Sequence, residues 1–136
     1  MLFFEGCVTT NTMVSSSIDR KEIRLGDYKN VFIYPSERAS FVELELERLF
    51  DTVGLNVIGI NEGSNFPASS VLGTRYTEKP VLNGYGNQIG TELTIQLVDY
   101  SSGKTLFTTR SRTDILSSRK AAWQSVSTEL ENAFQK

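Results

Sequence analysis

From Ile89 to Leu97 apolar and polar side chains alternate, with Ile89, Leu93, Ile95 and Leu97 at one parity and Glu92, Thr94 and Gln96 at the other. Successive side chains of a strand point to opposite faces, so this stretch predicts a strand with one buried and one wet side. A chain carrying such a strand has to cover its apolar side with another layer. The run Asp99-Tyr100-Ser101-Ser102-Gly103-Lys104 is turn chemistry, and it leads into Thr105 to Arg112, where Phe107 is the expected core residue. The two runs predict a β-hairpin whose loop is longer than two residues.

Cover is available at both ends of the chain. Lys29 to Tyr34 is a short apolar run rich in β-branched and aromatic residues, which suits a strand buried on both faces, and Pro35 ends it. Ser36 or Ser40 can then cap a helix, Ser40 with Glu43 having capping-box spacing. Val42, Leu46, Leu49, Phe50 and Val53 recur at helical intervals within it, and Gly54 supplies a left-handed stop. Leu55 to Ile60 follows as a second strand, which makes a strand-helix-strand unit expected to be right-handed. Residues 61 to 88 read mainly as turns, at Asn61 to Pro67 and Asn83 to Asn87, around a strand over Val71 to Thr77. A last helix, capped by Ser117 or Ser118, carries Ala122, Trp123, Val126, Leu130, Ala133 and Phe134 on one stripe. The class is therefore α+β.

At 136 residues the chain is the size of one domain, with no internal repeat and no composition shift that would divide residues 23–136. No window approaches the roughly 18 unbroken apolar residues of a membrane-spanning helix. With 14 basic and 16 acidic residues the net charge of −2 gives no reason to expect nucleic acid as a partner. Histidine is absent, which removes Ser-His and Cys-His nucleophile pairs and histidine zinc sites. The one cysteine, Cys7, excludes an intrachain disulfide framework and offers no thiol set for zinc. No metal and no cofactor is expected.

Local motifs do not restore an enzyme. Ser102-Gly103-Lys104-Thr105 has the ending of a phosphate-binding loop, but Val98 stands where the opening glycine belongs and a strand follows in place of a helix. Gly84, Gly86 and Gly90 miss dinucleotide spacing by one residue and also precede a strand. Glu43, Glu47 and Asp51 follow one side of the first helix as a solvated row. The alternative function is a soluble hydrolase or small-ligand enzyme working through carboxylates and arginines, for which two carboxyl groups would have to face each other across a cleft.

A cationic cluster is the candidate binding site. Lys104, Arg110, Arg112, Arg119 and Lys120 lie within 17 residues with Asp114 alone opposing them, and Arg110 and Arg112 share one face of a strand. Neighbouring guanidiniums can hold a phosphate, a carboxylate or an anionic surface. The competing explanation is that an edge strand carries charge to discourage edge-to-edge pairing.

The N-terminus supplies an address. Gly6-Cys7 followed by Val8-Thr9-Thr10-Asn11-Thr12-Met13-Val14-Ser15-Ser16-Ser17 resembles the mature start of bacterial lipoproteins, where a leader is cut before a cysteine that is then lipidated. The leader would precede Met1. The hairpin residues Val98, Asp99, Gly103, Lys104, Leu106 and Phe107 also resemble those of bacterial envelope lipoproteins of unknown function. The resemblance implies a mainly antiparallel sheet of four to five strands with two helices on one face, opening with the strand-helix-strand unit. It implies residues 1–22 as leader remnant and tether, residues 23–136 as the domain, and lipid on Cys7. The expected protein is a non-enzymatic envelope domain, membrane-tethered and facing the periplasm. Its partner would be another envelope protein or an envelope component, met through Lys104, Arg110, Arg112 and Arg119.

Overall fold

The computed structural model describes residues 8–15, 18, 24–35, 40–59, 66–67, 70–114 and 119–135. Cys7 and the serines considered as helix caps, Ser36, Ser117 and Ser118, lie outside the described residues. Six strands, β1 (Val8–Val14), β2 (Asn30–Ile33), β3 (Asn56–Ile58), β4 (Val71–Leu82), β5 (Gln88–Asp99) and β6 (Thr105–Asp114), form one sheet in the order β1-β6-β5-β4-β2-β3. Among the described residues, two α-helices, α1 (Ser40–Thr52) and α2 (Arg119–Gln135), accompany the sheet and make the fold α+β.

The sheet is mixed and six-stranded, which corrects the expectation of a mainly antiparallel sheet of four to five strands. β2 runs parallel to β3, because the α1 crossover returns the chain in the same direction, and β4 also pairs parallel with β2. β4, β5, β6 and β1 pair antiparallel in turn. The strand missing from the sequence reading is β1. Val8 to Val14, assigned to the tether, pairs with β6 from Val8↔Thr113 to Val14↔Phe107. Its valines and threonines are β-branched, so the residues that made it look like a polar tether also suit a strand. The sheet therefore begins well before residue 23. β4 also runs past Thr77 to Leu82, crossing Pro80 where β5 is its one partner among the described residues.

Both helices cover the same face. Val42, Leu46, Leu49 and Phe50 from α1 and Ala122, Trp123, Val126 and Leu130 from α2 share one core with Leu93, Ile95 and Leu97 of β5. Phe50 is fully enclosed, and its ring meets that of Phe134 edge to face at 6.1 Å. α2 is held over the sheet's edge by hydroxyl contacts as well as apolar ones. Thr10 bonds Ser125, and the Thr12 hydroxyl donates to Glu129 Oε1 at 2.6 Å.

The other face is not wholly wet. Over β2, β3 and β4 it carries a second cluster of Phe32, Ile58 and Val71, flanked by Tyr34, Phe66 and Tyr100. Gly73 makes room for it, since a Cβ there would stand 2.8 Å from both Tyr34 Cε2 and Val98 Cγ2.

Candidate functional site on the open sheet face

Residues paired across neighbouring strands project from the same face, so the register builds the site directly. Glu92, Thr94 and Gln96 alternate with the core residues of β5 and therefore face away from the helices. One row across the sheet reads Lys79, Glu92, Arg112 and Thr9, and the next reads Thr77, Thr94, Arg110 and Asn11. A third reads Arg75, Gln96, Thr108 and Met13.

Arg75, Lys79, Arg110 and Arg112 thus share the face opposite α1 and α2 with two carboxylates, Glu92 and Asp114. This face carries a cationic excess on a chain whose net charge is −2. Glu92 sits among the cations, with Oε1 3.5 Å from Lys79 Nζ and 3.9 Å from Arg110 Nε. The Arg110 Nε–H also donates to Thr94 Oγ1 at 3.4 Å. The Arg112 side chain is exposed. Arg75 stands over the Tyr34 ring, its guanidinium carbon 5.0 Å from the centroid. Beyond Tyr34 the rings of Phe32 and Tyr100 continue the surface as an aromatic ledge, with centroid separations of 4.9 Å from Tyr34 to Phe32 and 5.8 Å from Phe32 to Tyr100.

Two of the four cations expected at the site are elsewhere. Lys104 lies in the β5–β6 turn, six residues and roughly 20 Å along β6 from Arg110. Arg119 opens α2, the helix on the opposite face, and its side chain lies outside the described residues. Closeness in sequence misled because β6 lies between these two positions and spans the sheet. Arg75 and Lys79 are the cations that share the sheet face with Arg110 and Arg112. The period-two spacing Arg75, Thr77, Lys79 carried that signal, but it becomes visible only once β4 extends past Thr77. The edge-protection explanation for Arg110 and Arg112 also loses its premise, because β6 is an interior strand covered by β1.

Asp99 has a structural duty. Its Oδ2 accepts the Tyr28 O–H at 2.7 Å, while Oδ1 accepts the Ser101 N–H, the Ser101 O–H and the Ser102 N–H. Burial raises its pKa, but the hydrogen bonds from Ser101, Tyr28 and Ser102 outweigh that and hold it at about 2. Burial and the same carboxylate push the Tyr28 phenol up from its usual value. The carboxylate locks the turn that contains the phosphate-loop-like residues, and a strand follows it.

Glu43 is partly covered and accepts a long hydrogen bond from the Tyr76 O–H, whereas Glu47 and Asp51 are exposed. Among the described residues no group of three Cys, Asp or Glu side chains is placed to hold a metal. No helix among them is long and apolar enough to cross a membrane.

No protein-family profile matches the chain, and no curated protein matches it. Solved structures do. The PelC dodecamer from Paraburkholderia phytofirmans is 16% identical over 90% of this chain and 91% of that one, with a TM-score of 0.47. A single-substitution variant of the same PelC gives 0.48 at the same identity. A PDZ domain protein from Parabacteroides distasonis is 14% identical, with a TM-score of 0.47 over 90% of this chain and 34% of that one.

Proposed function

We propose that this domain is a non-enzymatic, lipid-tethered module of the bacterial cell envelope that holds an anionic partner on the sheet face opposite α1 and α2. The partner is the acidic surface of another envelope protein or an anionic envelope component. The observation that carries the reading is the placement of Arg75, Lys79, Arg110 and Arg112 on one face. A row of guanidiniums on a rigid strand presents paired donors to carboxylates or phosphates without first ordering a loop. The tether rests on the Gly6-Cys7 junction.

Replacing Arg110 and Arg112 together with glutamine tests the face. Both side chains are exposed and the Arg110–Glu92 approach is long, so stability should change by less than about 1 kcal/mol. Binding to immobilised polyglutamate or to phosphatidylglycerol vesicles should weaken about tenfold or more, at roughly 1 kcal/mol for each cation removed from an anionic surface. The loss should shrink as salt rises, because these charges are solvent-screened. Undiminished binding to both probes at low salt removes the arginines from the site.

The tether has its own test, on protein expressed from its native gene and extracted from membranes. Intact mass spectrometry should find a chain beginning at Cys7 with a multi-chain lipid increment, since one acyl chain gives only reversible anchoring. Cys7→Ala should move the protein out of the membrane fraction. An unmodified Cys7 on that protein ends the lipoprotein reading.

A further inference from the structure

The β4–β5 hairpin reaches farther than its neighbours. β6 ends opposite Gly90 and β1 begins opposite Thr113, so residues 82–89 project past both strands. The projecting segment, Leu82-Asn83-Gly84-Tyr85-Gly86-Asn87-Gln88-Ile89, holds no charged side chain. Its three large residues are all exposed, Tyr85 at 92%, Leu82 at 55% and Ile89 at 43%. Exposed apolar residues scattered singly need no explanation, but three on one uncharged loop form a patch.

Two further observations say what the patch meets. The first concerns the loop's backbone, most of whose N–H groups pair within the loop. Asn83 N–H donates to the Asn87 carbonyl, Gly86 N–H donates to the Asn83 carbonyl, and Asn83 Oδ1 accepts the N–H groups of Tyr85 and Asn87. Bare peptide groups are the main obstacle to placing a loop where water is scarce, and here the N–H groups of Asn83, Tyr85, Gly86 and Asn87 are already paired. The second concerns where the chain enters the sheet. Val8 pairs with Thr113, Thr113 with Thr91 and Thr91 with Pro80, so the first residue of β1 stands at the same end of the sheet as the tip. Cys7 immediately precedes it. A lipid on Cys7 would bring that end of the sheet, and no other, against a bilayer.

From these we infer that the β4–β5 tip is a second membrane contact, with Leu82, Tyr85 and Ile89 entering the interfacial layer of a lipid bilayer beside the anchor at residue 7. The inference rests on the tether reading above. Tyrosine suits that depth, its ring among the acyl ends and its hydroxyl at the headgroups. Two contacts at one end fix the domain's orientation, with the β5–β6 turn standing about 35 Å away along β5. The cationic face is then held upright on the surface rather than pressed flat against it.

The test couples the full chain through Cys7 to a maleimide-headgroup lipid in phosphatidylcholine vesicles, which imposes the tether whether or not the cell makes it. Acyl-brominated phosphatidylcholine then reports which indoles reach the hydrocarbon. Trp123 is the chain's one tryptophan and is buried in the core, so the unaltered chain gives a nearly unquenched baseline. Tyr85→Trp should add emission that shifts to the blue and is quenched severalfold, at high salt as at low. Ser102→Trp, in the β5–β6 turn, should add emission that is not quenched. Adding Leu82→Ser and Ile89→Ser to Tyr85→Trp should abolish most of the quenching, and far-ultraviolet circular dichroism checks that the sheet survives. An unquenched Tyr85→Trp indole, or equal quenching at positions 85 and 102, overturns the inference. Neither result bears on native lipidation, which the mass measurement reads separately.

Discussion

Phe50→Ala should remove about 3–5 kcal/mol of folding stability, the range for a large aromatic side chain truncated inside a core. Phe50 has no exposed surface, and it lies where α1, α2 and the sheet meet. Its ring edge meets Phe134 of α2, so truncation opens a cavity and also deprives the second helix of an aromatic contact. Leu46 and Leu130 of the same core cluster are fully buried as well. Urea unfolding followed by Trp123 fluorescence measures the effect. The midpoint should fall while the slope stays constant, showing that the unfolded state is unchanged. A loss below about 1 kcal/mol would mean that the ring is not enclosed between the helices and that their shared-face packing is wrong.

That packing was legible in the sequence because it is written in apolar periodicity. The α1 stripe ending in Phe50, the α2 stripe through Trp123 and the alternation of Leu93, Ile95 and Leu97 each declare a buried side without reference to any other segment. β1 makes no such declaration. Its inward residues Thr10 and Thr12 are polar, and they lie beside Thr109 and Ser111 of β6, which are buried polar residues themselves. A hydrophobicity pattern cannot reveal an interface made of hydroxyls, such as the Thr10–Ser125 and Thr12–Glu129 contacts. The candidate site was half legible for a related reason. Arg110 and Arg112 show their common face within one strand. Arg75 and Lys79 join them only through the β4–β5 register, which links residues far apart in sequence. Lys104 and Arg119 drop out because distance along a chain is a poor guide once a ten-residue strand separates two positions.

Asp99→Ala should cost about 3 kcal/mol at neutral pH, and much of that cost should be lost in acid. Removing the carboxylate deprives the β5–β6 turn of the acceptor for Ser101 and Ser102 and leaves the Tyr28 hydroxyl without its partner. Hydrogen bonds to a charged acceptor contribute about 1.5–3 kcal/mol, and a buried hydroxyl left unpaired adds a desolvation penalty. The pH dependence follows from the carboxyl's folded-state value of about 2 against an ordinary 3.8. A depressed pKa means that the folded state binds this proton less readily than the unfolded state. Its contribution is therefore complete above about pH 4 and is lost as the pH falls towards 2. Wild-type stability should decline across that window more steeply than the variant's, so the gap between their urea midpoints narrows from pH 5 to pH 2. Tyr28→Phe should reproduce part of the loss, because it deletes one donor and spares the turn. Parallel curves through the window would show that Asp99 is not held in its charged form by these bonds, and that the turn owes its shape to Gly103, at a φ of 75°, and the backbone bonds between Asp99 and Lys104.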